Sequence, residues 1–204
     1  FMTGIQSSAV KKHSNKWRVV DIVVAAIIAV ASGVIFWAWD IIYAVPIGAF
    51  DSLTPGLGGL FNFMWLFAGP LAAIIVRKPG AAFFAETVAA LIEALMGNPF
   101  GIGGSLIIGM FQGLGAEIGF AVFAYKKWNI ASVTLAGALT GLFNGGYDWL
   151  THSGWTVLQG STFTICCVIS GAVMGGAFMW VVQFALAKTG VLDRFESGRM
   201  QELV

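Results

Sequence analysis

Long apolar runs dominate this chain, and short alternating ones are scarce. A helix crossing the hydrocarbon core of a bilayer needs about 20 mostly apolar residues. Six such stretches stand near 19–39, 57–76, 81–97, 104–124, 130–150 and 162–187. Their interruptions have chemical causes. Arg77-Lys78-Pro79-Gly80 stops the second stretch, and Gly97-Asn98-Pro99 stops the third, because proline and glycine do not continue a helix. Lys126-Lys127 divides the fourth from the fifth. The pattern predicts an all-α integral membrane protein with six transmembrane helices over 19–187. A segment 1–18 precedes it and a polar tail 188–204 follows. Phe1 ahead of Met2 reads as a leftover of cloning, which puts the expected native start at Met2.

Composition agrees with the pattern. Of 204 residues, 58% are hydrophobic and 10% are charged, against roughly 25% charged in ordinary soluble domains. A soluble enzyme, a disordered chain and a nucleic-acid binder are excluded. The net charge of +1 offers no basic surface for phosphates. Cys166 and Cys167 are neighbours in an apolar run, poorly placed for a disulfide, and read as small packing residues.

The basic residues set the orientation. All 11 Lys and Arg fall before the first stretch, between the second and third, between the fourth and fifth, or after the sixth. The other three connections hold none. Cytoplasmic loops attract Lys and Arg, so both termini are expected in the cytoplasm.

The first outer connection, 40–56, is long and too apolar for a free loop. It is expected to be an ordered extracellular loop that packs on something, as lids and binding loops do. Acidic residues inside the spans need an explanation, since a charge at the bilayer centre costs on the order of 3 kcal/mol. Glu93, near the outer end of the third span, is a candidate ligand contact; the alternative is a hydrogen-bonded packing role. The roles of Glu86 and Glu117 stay open between the same two readings. Asn144, Tyr147 and Asp148 share one face at the outer end of the fifth span. Asn98, Asn62 and Gln112 are further polar candidates, although amides also tie helices together. Trp39 and Trp65 are expected to stack on a ligand. The outer side carries acids and tryptophans but no Lys or Arg, which suits a neutral or cationic aromatic molecule.

Several chemistries lack their residues. There is no GxxxxGK[ST] phosphate loop, no lysine inside a span, and no Cys/His spacing for a metal. An autonomous secondary transporter or channel for a cationic solute is the main alternative, with Glu86, Glu93 and Glu117 as its ion path. An intramembrane serine hydrolase would have to use Ser105 and His152, outside any GxSG context.

Ala25, Ala29 and Gly33 form a small-residue stripe in the first span, and such stripes let another helix approach closely. Six spans, both ends inside, a long first outer loop and Ala25-x-x-x-Ala29 resemble the S components of energy-coupling-factor (ECF) vitamin transporters. The run Phe143-Asn144-Gly145-Gly146-Tyr147-Asp148 and the layout over about 18–187 are similar to the YkoE family in particular. The resemblance implies a bacterial plasma-membrane protein, not an enzyme. It implies capture of thiamine or its hydroxymethylpyrimidine precursor outside the cell, without a cofactor. A membrane coupling (T) component and ATPase subunits would be the partners, and only those partners would use ATP. It places the coupling partner against Ala25 and Ala29, and Gly33 extends their stripe.

Overall fold

A computed structural model describes residues 15–199, and the readings that fall on Lys11, Lys12 and 200–204 lie outside it. The described residues form helices and no strand. In chain order these are α1 (Val19–Asp40), α2 (Ala44–Leu53), a 3-10 helix (Leu57–Trp65), α3 (Ala68–Val76), α4 (Ala81–Leu95), α5 (Gly101–Ala121) and α6 (Ile130–Thr151). The last two are α7 (Val157–Lys188), which contains a π-helical segment at Gly171–Phe178, and the short α8 (Glu196–Arg199). By length and composition α1, α5 and α7 could each cross a membrane, and the 3-10 helix with α3 makes a fourth if counted as one bent span.

Local chemistry sets the ends. Asp21 accepts the Arg18 backbone N–H at 2.8 Å and pairs with its guanidinium at 2.7 Å, opening α1 with a capping box. Asn129 and Ser132 do the same for α6. The 40–56 connection, expected to be ordered and packed, contains α2, and Asp51 fixes its exit by accepting the Gly56 and Gly58 N–H groups at 3.0 and 2.8 Å.

The second apolar stretch is broken, bending by 43° between its two pieces. Pro70 supplies the reason. It has no N–H for the carbonyl of Leu66, and a proline ring clashes with the carbonyl four residues back. In the first turn of α3 the same proline is tolerated. The piece before the break runs as a 3-10 helix against α7. A Cβ at Gly59 would sit 2.5 Å from the Phe163 carbonyl, so only glycine permits that approach.

All nine residues of α3 are buried, so it forms the centre of the bundle. Its new N-terminus needs acceptors for free N–H groups. Glu86, fully buried on α4, accepts the Gly69 N–H at 2.5 Å. At the far end of α3, Ser197 donates to the Ile75 carbonyl at 3.0 Å. Glu117 on α5 has a parallel role for α4. It accepts the N–H groups of Gly80 at 2.6 Å, Ala82 at 3.1 Å and Phe83 at 3.3 Å, and the Tyr125 hydroxyl at 2.8 Å. Both carboxylates therefore cap helices that belong to other parts of the chain.

Ala25, Ala29 and Gly33 face inward and are buried. Ala29 packs with Ala72 and Ala85. A Cβ at Gly33 would meet the Ala89 carbonyl at 2.6 Å. The stripe thus brings α1 against α4 within this chain, where the sequence reading placed a partner. No partner can touch these three residues while α1 stays packed.

Candidate ligand-binding site

The C-termini of α1, α4 and α6 meet the N-termini of α5 and α7 at one end of the bundle, and α2 lies beside the 3-10 helix there. Trp65, the last residue of the 3-10 helix, is central. Its indole N–H donates to Asp40 at 3.2 Å. The Tyr43 ring lies 5.2 Å from it, Phe100 6.1 Å and Trp39 6.4 Å, each in an edge-on arrangement. Trp39 is held by its own N–H, which donates to the Phe61 carbonyl at 3.2 Å.

Glu93 reaches into this aromatic group from the last turns of α4. Its buried carboxyl interacts with Asp40, Asn98 and Trp65. Asn98 is itself fixed, donating to the Ser105 hydroxyl at 2.5 Å and accepting from the Gly101 N–H at 2.9 Å. The Asp40 carboxyl thus meets both the Trp65 indole and the Glu93 carboxyl. Two adjacent carboxyls walled by aromatic rings can receive a hydrogen-bond donor or a cation.

A second polar group runs deeper, from α5 to α7. Gln112 donates to Asn144 at 2.7 Å, and the Asn144 amide contacts Asp148 at 3.3 Å and the Cys167 sulfur at 3.6 Å. Gln112 and Asn144 are both buried. Tyr147 leaves this line and packs on Phe111 at 5.4 Å. At the rim, His152 stacks on Trp155 at 4.5 Å, with its ring nitrogen 2.7 Å from the Asp148 carbonyl.

The structure therefore gathers Trp39, Trp65, Glu93 and Asn98 into one group, and Gln112, Asn144 and Asp148 into another. Asn62 is buried on the 3-10 helix, three residues before Trp65. Sequence reasoning counted Asp40 among the outer acids without making it a ligand contact, and missed Tyr43 and Phe100. Asp40 carried a signal, as an acid at the outer end of a long apolar run. Tyr43 and Phe100 carried none, because their roles depend on the position of Trp65. Among the described residues, no three His, Cys, Asp or Glu side chains are grouped so as to hold a metal ion.

Three comparisons bear on this arrangement. Residues 20–143 match the family described as the ABC-type cobalt transport system, permease component. A Bacillus subtilis (strain 168) protein, named as the HMP/thiamine permease protein YkoE, is 34% identical over 190 residues, covering 91% of this chain and 92% of its own. A solved structure, described as the crystal structure of an S-component of ECF transporter, superposes with a TM-score of 0.83 at 28% identity. It covers 92% of this chain and 94% of its own.

Proposed function

This chain belongs to the family described as the ABC-type cobalt transport system, permease component, and has the fold of an ECF S component; from that premise we propose that it captures thiamine or its hydroxymethylpyrimidine precursor for an ATP-driven importer. It is a transporter component and not an enzyme. The observation that carries the choice of site is the meeting of Asp40 and Glu93 beside Trp65. An aminopyrimidine offers N–H donors beside ring-nitrogen acceptors, which a carboxyl or amide can pair with. A thiazolium ring is cationic and suits aromatic faces and acids.

In this reading Glu93, Asn98, Trp39 and Trp65 contact the ligand, with Asp40 as the acid beside Glu93. Asn144, Asp148, Gln112, Tyr147 and Asn62 form its deeper and lateral surroundings. The chain crosses the membrane six times, with α4, α6 and the bent pair completing α1, α5 and α7. The site faces outward from the bacterial plasma membrane. This orientation is supported by Arg18, Arg77, Lys78, Lys126, Lys127, Lys188 and Arg194, which all lie toward the opposite end. A membrane coupling component and ATPase subunits supply the energy. Their contact at Ala25, Ala29 and Gly33 would require α1 to part from α4.

The competing ion-path reading loses its main support, because Glu86 and Glu117 are engaged as helix caps. The test is calorimetry on the purified chain with thiamine, hydroxymethylpyrimidine and thiamine diphosphate. Saturable binding of thiamine or its pyrimidine is expected. Binding of none of the three would overturn the substrate assignment, and ligand-coupled uptake by the chain alone in vesicles would overturn the division of labour.

A further inference from the structure

Helix α2 has no buried residue. Its outward side is apolar. Ile41 and Ile42 just before it are 67% and 54% exposed, and Val45 and Leu53 within it are 78% and 75% exposed. Its other side packs on the protein. Tyr43, just before the helix, lies against Trp65 and Phe100, Phe50 lies 4.7 Å from Phe61, and Asp51 holds the Gly56 and Gly58 amides.

The exposed side continues an exposed apolar surface of α1. Ile27, Val30, Val34, Ala38, Ile41 and Val45 are all exposed, at steps of three or four residues. That is one helical face. Between the two helices lies a short turn, 41–43, in which Ile41 and Tyr43 keep right-handed helical backbone angles. Length decides where α2 can lie. The 22 residues of α1 rise about 33 Å, which already spans a hydrocarbon core of about 30 Å. Hence α2 begins where that core ends. Between Asp40 and Asp51 the chain carries no charge, so nothing draws this face into bulk water.

We propose that α2 lies in the lipid–water boundary, with Ile41, Val45 and Leu53 among the upper acyl chains while its inner side roofs the cluster around Trp65. Interfacial helices of this kind sit roughly 5–10 Å into the headgroup and acyl boundary. The lid over the site is then held by the bilayer as much as by the protein. This inference rests on α1 crossing the membrane and not on which ligand the site takes.

The test uses the full chain with Val45→Cys, and Leu53→Cys in parallel, labelled with a small fluorophore and placed in phosphatidylcholine nanodiscs. Cys166 and Cys167 are buried and stay unlabelled. Lys126→Cys, in an exposed turn at the other end, is the aqueous control. Emission from positions 45 and 53 should fall in discs whose acyl chains are brominated near the headgroup, and should fall less in aqueous iodide; position 126 should show the reverse. Iodide quenching at 45 and 53 without lipid quenching would place the face in water and overturn the proposal. Protection from both quenchers would mean that protein covers the face, which overturns it equally. No ligand is needed, so the outcome is independent of the thiamine assignment.

Discussion

Glu86 accepts the backbone N–H of Gly69 at 2.5 Å, in a place where neither residue meets solvent. A carboxylate on α4 thus completes the first turn of α3, a helix that begins in the middle of the bundle because Pro70 breaks the stretch before it. The first N–H groups of a helix need acceptors from outside it, which gives an acid at this depth a structural role.

Glu86→Ala should therefore lower stability more than ligand affinity. An orphaned buried N–H costs about 1–3 kcal/mol. Thermal unfolding in detergent should show a clear drop in Tm for Glu86→Ala and a smaller one for Glu86→Gln, whose amide oxygen can still accept. Unchanged Tm in Glu86→Ala would show that Gly69 does not depend on this cap.

The Glu117 cap predicts a graded pair. Glu117→Ala removes the acceptor of three amides and one hydroxyl, and Tyr125→Phe removes a single donor. The second should cost about 1 kcal/mol and the first clearly more. Burial, and then Glu117, hold the Tyr125 hydroxyl well above the usual phenol range. A raised pKa in the folded state means that this contribution is complete below about pH 10 and is lost as pH rises through the folded value. The Tm difference between the native chain and Tyr125→Phe should thus stay constant across neutral pH.

For the ligand site, Glu93→Gln should weaken thiamine binding at least tenfold, about 1.4 kcal/mol. Asp40→Asn should weaken it comparably, because the two carboxyls stand together. Titration calorimetry on folded variants reads both. Native affinity in Glu93→Gln would remove that residue from the site, and native affinity in Asp40→Asn would reduce Asp40 to holding Trp65.

Gly33→Ala separates internal packing from partner contact. The added methyl would meet the Ala89 carbonyl and Ile92, and overpacking of this kind costs typically 1–3 kcal/mol. The isolated chain should lose Tm with no partner present. Normal stability of the isolated variant, with loss of assembly alone, would return the stripe to the interface role that the sequence suggested.

The helical class and the positions of the long helices were legible because apolar length and charged breaks are local signals. Glu93 stood out for its cost at that depth. The break at Leu66 was legible in principle from Pro70, but an unbroken apolar count hid it. The duties of Glu86 and Glu117 were not legible, because each caps amides 17 to 37 residues away in sequence. The stripe at Ala25, Ala29 and Gly33 was visible, yet small residues report close packing without saying whose helix approaches. Helix α2 was obscured by Pro46, which is acceptable in a first turn.

The enclosure of α3 constrains how the whole object can move. A half-length rod gripped on every side, and tied at both tips by groups from α4 and from the chain's tail, acts as an axle pin through the bundle. Opening the bundle between its halves would have to release α3 at both tips and uncover residues that are now buried.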